Sequence, residues 1–345
     1  MRYDLASMTR PELAQLCERW GERPFRAKQL FGWIQQKGAR SIDEMTDLPK
    51  TLRARLAEEA ALTVLTPRRR QASRTDGTIK YLFELPDGET IETVRMVYRH
   101  GVSLCLSTQV GCRMGCAFCA SGIGGLRRHL TPGEILGQIR AVMADTGERP
   151  DSLVLMGIGE PLDNYDNVLR FLELLADPEG FGMSHRHLSL STCGVVPRIY
   201  DLARLHLQLT LSVSLHAPND RIRGGIMPVN HRWGIDELLE ACRYYADETH
   251  RRISFEYAVI EGVNDSKACA DELRRRLSGM LCHVNLIPLN RVEERQFVSG
   301  RAVAERFAAL LGDSLSVTIR RTLGADIDAA CGQLRRADAR EKAEG

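Results

Sequence analysis

The sequence lacks any apolar run near the roughly 18 consecutive residues that a membrane span needs, and residues 1–10 contain no apolar stretch. It also lacks an excess of one charge, because 47 basic and 45 acidic residues leave a net charge of +2. Composition alone therefore does not indicate a nucleic-acid-binding protein, so any RNA surface must be a local patch. We expect a soluble, cytoplasmic protein with no membrane partner.

The ten cysteines do not form the dense pattern of a small disulfide-bonded scaffold, because they are spread over 345 residues. Reduced thiols, metal ligands or catalytic groups are expected instead. Cys17, Cys242, Cys269 and Cys282 lie in or beside apolar segments, and we interpret them as core thiols. Hydrophobic residues make up 43% of the chain, enough for one large core and a small appended domain.

The first part of the chain has a helical pattern. Apolar residues recur at helical spacing between residues 8 and 62, and Pro24 and Pro49 interrupt the pattern. This predicts a small helical domain over residues 1–66.

Two strand-like segments follow a basic stretch at residues 68–70. They cover residues 80–85 and 90–98, with a Pro-Asp-Gly turn between them. The pattern predicts a β-hairpin extension over residues 67–100.

Strand-like and helical segments then alternate. The predicted strands are 103–108, 153–156, 187–191, 209–215, 253–259 and 283–287. Thr131 begins one of the intervening helices with a capping box that ends at Glu134. The alternation predicts an α/β fold, a partial (β/α)6 barrel over residues 101–336, with a disordered tail at 337–345. Active-site residues should follow the carboxyl ends of the strands.

A cysteine triplet follows the first predicted strand. Cys112, Cys116 and Cys119 offer three thiolates on one loop, whereas a structural zinc site needs four ligands. Three thiolates suit a 4Fe-4S cluster with one iron open, which S-adenosylmethionine can chelate through its amino and carboxylate groups. The alternative is a zinc site completed by His129 or Cys105.

Further segments occur in a fixed order along most of the chain. They are CLSTQVGC at 105–112, GIGEP at 157–161, STCGVVP at 191–197, SLHAP at 214–218 and GADIDAACGQL at 324–334. With FRAKQLF at 25–31 and LPK at 48–50, they resemble the RlmN/Cfr family of radical S-adenosylmethionine RNA methyltransferases. The resemblance implies a radical S-adenosylmethionine barrel that acts on RNA. By analogy with the family, we also expect the helical domain over residues 1–66 to contact RNA.

The resemblance also implies the roles of three catalytic residues. Cys331 matches the cysteine that is methylated by one S-adenosylmethionine and then loses a hydrogen atom to the radical made from a second. The methylene radical adds to an electron-poor adenine carbon, and Glu92 matches the acceptor of the proton that this carbon loses. Cys105 then attacks Cys331, which releases the RNA and leaves a disulfide for an external reductant to reset. The alternative for Glu92 is a solvated strand carboxylate.

Cofactor contacts are implied in the same way. Gly159 and Glu160 match the contact to the amino group of S-adenosylmethionine. Ser191, Ser214 and His216 match contacts to its carboxylate or ribose, and Leu215 and Asn290 match further cofactor contacts. Strand-end capping is the alternative for the serines and the histidine. Cys193 stands where serine is frequent, and we interpret it as a neutral substitution.

The implied reaction is methylation of carbon 2 of an adenosine in 23S rRNA, near the peptidyl-transferase centre, and of the adenosine beside the anticodon in tRNA. Gln109-Val110-Gly111 favours this over Cfr-type methylation at carbon 8. An electron donor such as a flavodoxin-type reductant and a monomeric state are expected. Two other possibilities are an iron–sulfur electron carrier and a zinc-stabilised RNA-binding protein without catalysis.

Arginine clusters are the candidates for phosphate contacts. They are Arg68 to Arg70, Arg127 with Arg128, Arg221 with Arg223, Arg320 with Arg321, and Arg335 with Arg336. Arg127 and Arg128 are favoured, because they lie just after the cysteine triplet.

Overall fold

The computed structural model describes residues 2–289, 297, 299–327, 334, 335 and 338. Its first elements are β1 (Tyr3–Asp4), α1 (Arg10–Arg19), α2 (Phe25–Phe31), α3 (Lys50–Glu59) and β2 (Ala60–Ala61). A capping box between Thr9 and Glu12 begins α1. Pro24 and Pro49 immediately precede α2 and α3, as the breaks in the sequence pattern predict.

Three antiparallel strands come next: β3 (Thr66–Ala72), β4 (Ile79–Glu84) and β5 (Thr90–Tyr98). The β4–β5 hairpin confirms the predicted pair of strands. Sequence reasoning missed β3, because its three consecutive arginines give no alternation of apolar residues. It is an edge strand, where charged side chains are common.

The rest of the described chain alternates strands and helices. The elements are β6 (Gly101–Cys105), β7 (Gln109–Gly111), β8 (Leu126–His129), α4 (Pro132–Thr146), β9 (Ser152–Leu155), α5 (Tyr165–Ala176), β10 (Leu188–Thr192), α6 (Val196–Arg204), β11 (Thr210–Ser214), α7 (Asp220–Ile226), α8 (Ile235–Thr249), β12 (Ile253–Val259), α9 (Lys267–Leu277), β13 (Cys282–Pro288), α10 (Arg301–Leu311) and β14 (Val317–Ile319). The predicted capping box of Thr131 and Glu134 begins α4.

A single sheet of ten strands organises the fold, in the order β14-β13-β12-β11-β10-β9-β6-β5-β4-β3. Strands β6 and β9 to β14 run parallel, and β3 to β6 pair antiparallel. The α/β class and the six predicted parallel strands are confirmed. A seventh, β14, was missed, because three residues are too few to show a strand pattern. Within the described ranges the sheet has two edges and is open, as a partial barrel requires.

One continuous hydrophobic core joins the N-terminal helices to the sheet. Leu13 and Leu56 from the helices belong to the same buried cluster as Phe171 on α5 and Phe255 on β12. The helical part therefore packs directly on the α/β part, and its boundary at residue 66 stays a prediction. No helix in the described part of the chain is long and apolar enough to cross a membrane.

Candidate active site

A cavity of about 340 Å³ opens where the parallel strands end. Nine of the predicted site residues line it: Cys105, Cys112, Cys116, Cys119, Gly159, Glu160, Ser191, Ser214 and His216. They come from loops far apart in sequence, which meet because parallel strands share one carboxyl edge. Cys331 and Asn290 lie outside the described residues.

The antiparallel pairing of β7 with β8 brings together the two ends of the loop that carries the cysteines. Cys112 donates its N–H to the carbonyl of Gly125 at 3.1 Å. Gly111 has φ +77°, and a Cβ atom there would lie 2.0 Å from the Gly125 oxygen. Glycine at this position therefore permits the close approach that shapes the loop.

Two residues between the cysteines hold the loop against the barrel strands. Ala117 donates its N–H to the carbonyl of Ile226, at the end of α7, at 2.8 Å. The ring of Phe118 meets the His216 ring edge-on, with centroids 4.8 Å apart. The loop is thus fixed by groups other than its thiols.

The chemistry of the loop fits a cluster with three thiolate ligands. Burial raises the pKa of Cys112 to about 12 and also raises the pKa of Cys116, so both thiols hold their protons unless iron replaces them. Ser121 lines the cavity, and its hydroxyl oxygen is buried without a hydrogen-bond partner, which leaves a donor for a bound group.

A zinc site finds less support. Among the residues that the structure describes, no three His, Cys, Asp or Glu side chains are placed to hold a single metal ion. His129, one suggested fourth ligand, instead makes a 3.0 Å contact with the Gln109 side chain through Nδ1. In a cluster each thiolate binds a different iron, so the thiols need not converge on one point.

Glu160 is a cavity-lining carboxylate that backbone N–H groups hold in place. It is 3% exposed, and its two oxygens accept the backbone N–H groups of Leu162 at 3.0 Å and Cys193 at 2.7 Å. Burial raises its pKa, whereas these amide donors oppose that shift. The side chains of Thr192 and Cys193 also hydrogen-bond this carboxylate, so Cys193 contacts it through both its backbone and its thiol.

Gly159, the residue before this carboxylate, has φ +116°. A Cβ atom at this position would lie 2.7 Å from the Cβ of Gln109. The same glutamine accepts the Glu160 N–H at 2.8 Å. Glycine at position 159 therefore lets the loop after β9 pack closely against the segment that carries the cysteines.

His216 is a neutral imidazole at the cavity wall. Its Nδ1 accepts the Ala258 N–H at 2.8 Å, so its ring proton is on Nε2. Burial, with a smaller effect from Arg223, lowers its pKa to about 3. Leu215 differs from its neighbour, because its side chain is fully buried in the core and is not among the lining residues.

The antiparallel extension forms the other side of the cavity. Cys105 pairs directly with Val94 of β5, and Glu92 lies two residues along β5 on the same face. Glu92 is 3% exposed and is not among the residues that line the cavity, and Lys80 Nζ is 3.2 Å from its Oε2. Its other oxygen, Oε1, accepts the backbone N–H of Arg335 at 2.6 Å. A solvated strand carboxylate, the alternative above, does not describe this residue.

Described residues on both sides of Cys331 in the sequence contact the extension. Gly324 donates its N–H to Asp76, in the turn between β3 and β4, at 2.7 Å. Asp338 is 2% exposed and pairs with Arg68 of β3 at 2.9 Å. Of the described residues near Cys331 in the sequence, Gly324, Arg335 and Asp338 therefore contact the extension.

Sequence reasoning missed two buried charges near the cavity. Glu256 on β12 lines the cavity and accepts hydrogen bonds from Asn285 at 2.8 Å and Ser254 at 3.1 Å. Lys80 on β4 is fully buried beside Glu92. The signal in both cases is a charged residue inside an otherwise apolar strand, which is inward-facing only in the correct register.

The arginine clusters have different environments. Arg320 and Arg321 line the cavity, and Arg127 is exposed. These three side chains are therefore accessible to a ligand, as a phosphate contact requires. Arg128, in contrast, pairs with Glu134 at 2.8 Å and with Asp87 at 2.5 Å.

Arg223 corrects one prediction. The sequence suggested an RNA-facing arginine, but the side chain is 0% exposed. It donates to the carbonyls of Cys193 at 2.6 Å, Ser214 at 3.1 Å and Leu215 at 3.1 Å. Charge in a sequence suggests solvent, whereas here three strand-end carbonyls replace the water.

Two family models match the chain. Residues 3–62 match the N-terminal domain of the ribosomal RNA large subunit methyltransferase, and residues 106–271 match the Radical SAM superfamily. The second match includes the cysteine triplet and the loops that line the cavity from Cys112 to Ala258.

Relatives are similar over nearly the whole chain. A probable dual-specificity RNA methyltransferase RlmN from Desulforamulus reducens is 50% identical over 97% of this chain and 96% of that protein. The corresponding protein from Lachnospira eligens is 49% identical over 96% and 95%. The crystal structure of a radical SAM methyltransferase from Sphaerobacter thermophilus has a TM-score of 0.91 and 45% identity, and covers 96% of this chain and 98% of that one. The chain therefore belongs to the RlmN branch of the RlmN/Cfr family of radical S-adenosylmethionine RNA methyltransferases.

Proposed function

We propose that the protein methylates carbon 2 of an adenosine in 23S rRNA, near the peptidyl-transferase centre, and of the adenosine beside the anticodon in tRNA. One observation supports this most directly: a single cavity is lined by the cysteine triplet and by Cys105, which comes from a different part of the sheet. A radical enzyme of another kind needs the triplet, but not a second thiol facing it.

Each half of the cavity has its own proposed task. Cys112, Cys116 and Cys119 hold the 4Fe-4S cluster through three ligands. Glu160, Ser191, Ser214 and His216 hold S-adenosylmethionine, with Asn290 as a further contact. When bound, the cluster supplies the electron that cleaves S-adenosylmethionine, which is the source of the radical and of the methyl group.

The residues near the extension handle the methyl group and the RNA. Cys331 accepts a methyl group on sulfur, since a thiolate is a good nucleophile toward a sulfonium methyl. Glu92 accepts the proton that leaves carbon 2 of the adenine. Cys105 then attacks the sulfur of Cys331, the bond from that sulfur to the methylene carbon on the adenine breaks, and that carbon takes up a proton to become the product methyl group. An external reductant restores the two thiols from the disulfide. The position of Cys105 at the end of β6, facing the cavity, supports this order of events.

The substrate must extrude its adenine to reach the cavity, as base-modifying enzymes generally require. Arg320 and Arg321 on the cavity wall and exposed Arg127 are the proposed phosphate contacts. We further propose a monomer that acts in the cytoplasm, where both RNAs are found, with electrons from a flavodoxin-type donor.

Mass spectrometry of modified nucleosides tests the proposal. A strain without the protein should lose 2-methyladenosine from 23S rRNA and tRNA, and the wild-type chain should restore it. A Cys331→Ala chain should not restore it. Loss of 8-methyladenosine with 2-methyladenosine retained would instead assign the Cfr-type reaction. Retention of both nucleosides would contradict an RNA-methylating role.

A further inference from the structure

Lys80 shares a sheet face with two residues of the proposed methyl-transfer site. In the register of the extension, Lys80 is opposite Val94, and Val94 is opposite Cys105. Glu92 is two residues from Val94 along β5 and therefore points to the same side. The four side chains thus form one patch over three adjacent strands.

Within this patch, the charge of Glu92 is balanced at close range. Lys80 is 0% exposed, and its Nζ lies 3.2 Å from Oε2 of Glu92, which is 3% exposed. The opposite oxygen, Oε1, accepts the Arg335 N–H at 2.6 Å. Arg335 directs its guanidinium to Glu89, at 3.3 Å. Lys80 is thus the ammonium that faces Glu92 from β4, while Arg335 and Glu89 pair with each other nearby.

A proton acceptor has to be ionised before it can act. A carboxylate removed from water loses most of its hydration and favours its neutral form, unless a cation or hydrogen-bond donors compensate. We propose that Lys80 is a positioning residue that keeps Glu92 ionised. The inference rests on the proposed role of Glu92. The adduct gives its unpaired electron to a one-electron acceptor, the oxidised cluster of the proposed function, the carbon 2 proton passes to Glu92 while its electron pair stays in the ring, and Lys80 keeps its own proton.

Three single variants test this assignment in the full chain with reconstituted cluster. Lys80→Met removes the charge, Lys80→Arg keeps it, and Lys267→Met removes an exposed lysine that pairs with Asp271 on α9. The measurements are S-adenosylmethionine cleavage, 2-methyladenosine formed on RNA, and the covalent protein–RNA adduct, each from about pH 6.5 to about pH 9.

Lys80→Met should cleave S-adenosylmethionine normally but make at least about tenfold less product at neutral pH, within the range that a positioned base contributes. The adduct should accumulate, and product should recover at high pH, because solvent hydroxide ionises Glu92 again. Lys80→Arg should recover most of the product, and Lys267→Met should match the wild type. Wild-type product and pH dependence in Lys80→Met would overturn the inference, as would an equal loss at every pH without adduct.

A double variant distinguishes a folding defect in Lys80→Met from loss of the proposed role of Lys80. Lys80→Met combined with Glu92→Gln removes both charges of this pair, so it should fold and should make as little product as Glu92→Gln alone. A further tenfold loss in the double variant would show that Lys80 acts independently of Glu92, which would also overturn the inference. If the wild-type chain itself makes no 2-methyladenosine, the proposed function fails, and that result is distinct from either outcome.

Discussion

The two sides of the cavity are built differently. On one side, the cysteine loop, Glu160 and His216 follow the ends of parallel strands, and their backbones are fixed by hydrogen bonds between neighbouring loops. On the other side, Lys80, Glu92 and Cys105 project from the middle or end of antiparallel strands, where register alone sets their direction. The first side corresponds to the superfamily match and the second holds the proposed methyl-transfer residues.

This difference implies that the two sides can be disabled separately. Radical generation should depend on the loops at the parallel strand ends. Transfer to RNA should depend on the face of the extension and on the chain that crosses it.

The largest effect is expected from Cys112→Ala, because it removes one thiol of the triplet. Bound iron, cluster absorbance and S-adenosylmethionine cleavage should all fall to the detection limit. Glu92→Gln should keep iron and cleavage, yet lose product by roughly 10²–10⁴-fold, the usual contribution of a general base. Cys282→Ala, a half-buried thiol away from the cavity lining, serves as the control and should retain all three properties. Full iron content in Cys112→Ala would contradict the assignment of radical generation to the side with the cysteine loop.

Arg223→Met should destabilise the parallel side. It leaves the carbonyls of Cys193, Ser214 and Leu215 without their donor, and breaking such a buried charged network costs about 3–5 kcal/mol. Arg221→Met, on the same short helix but exposed, should change the free energy of unfolding by less than about 0.5 kcal/mol. Urea unfolding of both variants measures the difference. Equal stabilities would mean that Arg223 does not hold these strand ends.

A smaller effect should appear in the pH dependence of the free energy of unfolding, through His216 on the side built from parallel strands. The folded-state pKa of His216, about 3, is below its ordinary value of 6.5, so between these values the unfolded chain binds more protons. The contribution of neutral His216 is fully present above about pH 6.5 and is lost as pH falls, by at most about 1.4 kcal/mol per pH unit.

His216→Gln should therefore lose less stability than the wild type between about pH 6.5 and about pH 5. Urea unfolding at the two pH values provides the comparison. Identical pH dependence in wild type and His216→Gln would contradict the buried, neutral state.

The two sides also differ in how far the sequence predicts them. Cys112, Glu160 and Ser191 follow strands in a repeated pattern, and parallel strands bring such residues to one edge, so their convergence follows from the order of elements. Lys80 could not be assigned in this way, since a shift of one residue in register would turn it to the opposite face. Its role becomes visible only when β4 is paired with β5.

Arg223 and Leu215 show a second limit. Nothing local distinguishes a buried arginine from a surface one, because its burial depends on carbonyls contributed by β10 and β11. Leu215 lies between two cavity residues, and the alternation along a strand end sends its side chain into the core instead. The sequence does predict that this segment follows a strand, while the direction of each side chain comes from the fold.

The central claim is that Cys105 and the radical-generating side act on one RNA-bound intermediate. The most direct test is to incubate Cys105→Ala, with cluster and S-adenosylmethionine, with substrate RNA and to look for a covalent protein–RNA adduct by denaturing gel and mass spectrometry. We predict that the adduct accumulates, that it maps to Cys331, and that adding Cys331→Ala abolishes it. Normal formation of 2-methyladenosine by Cys105→Ala, without any adduct, would contradict the account.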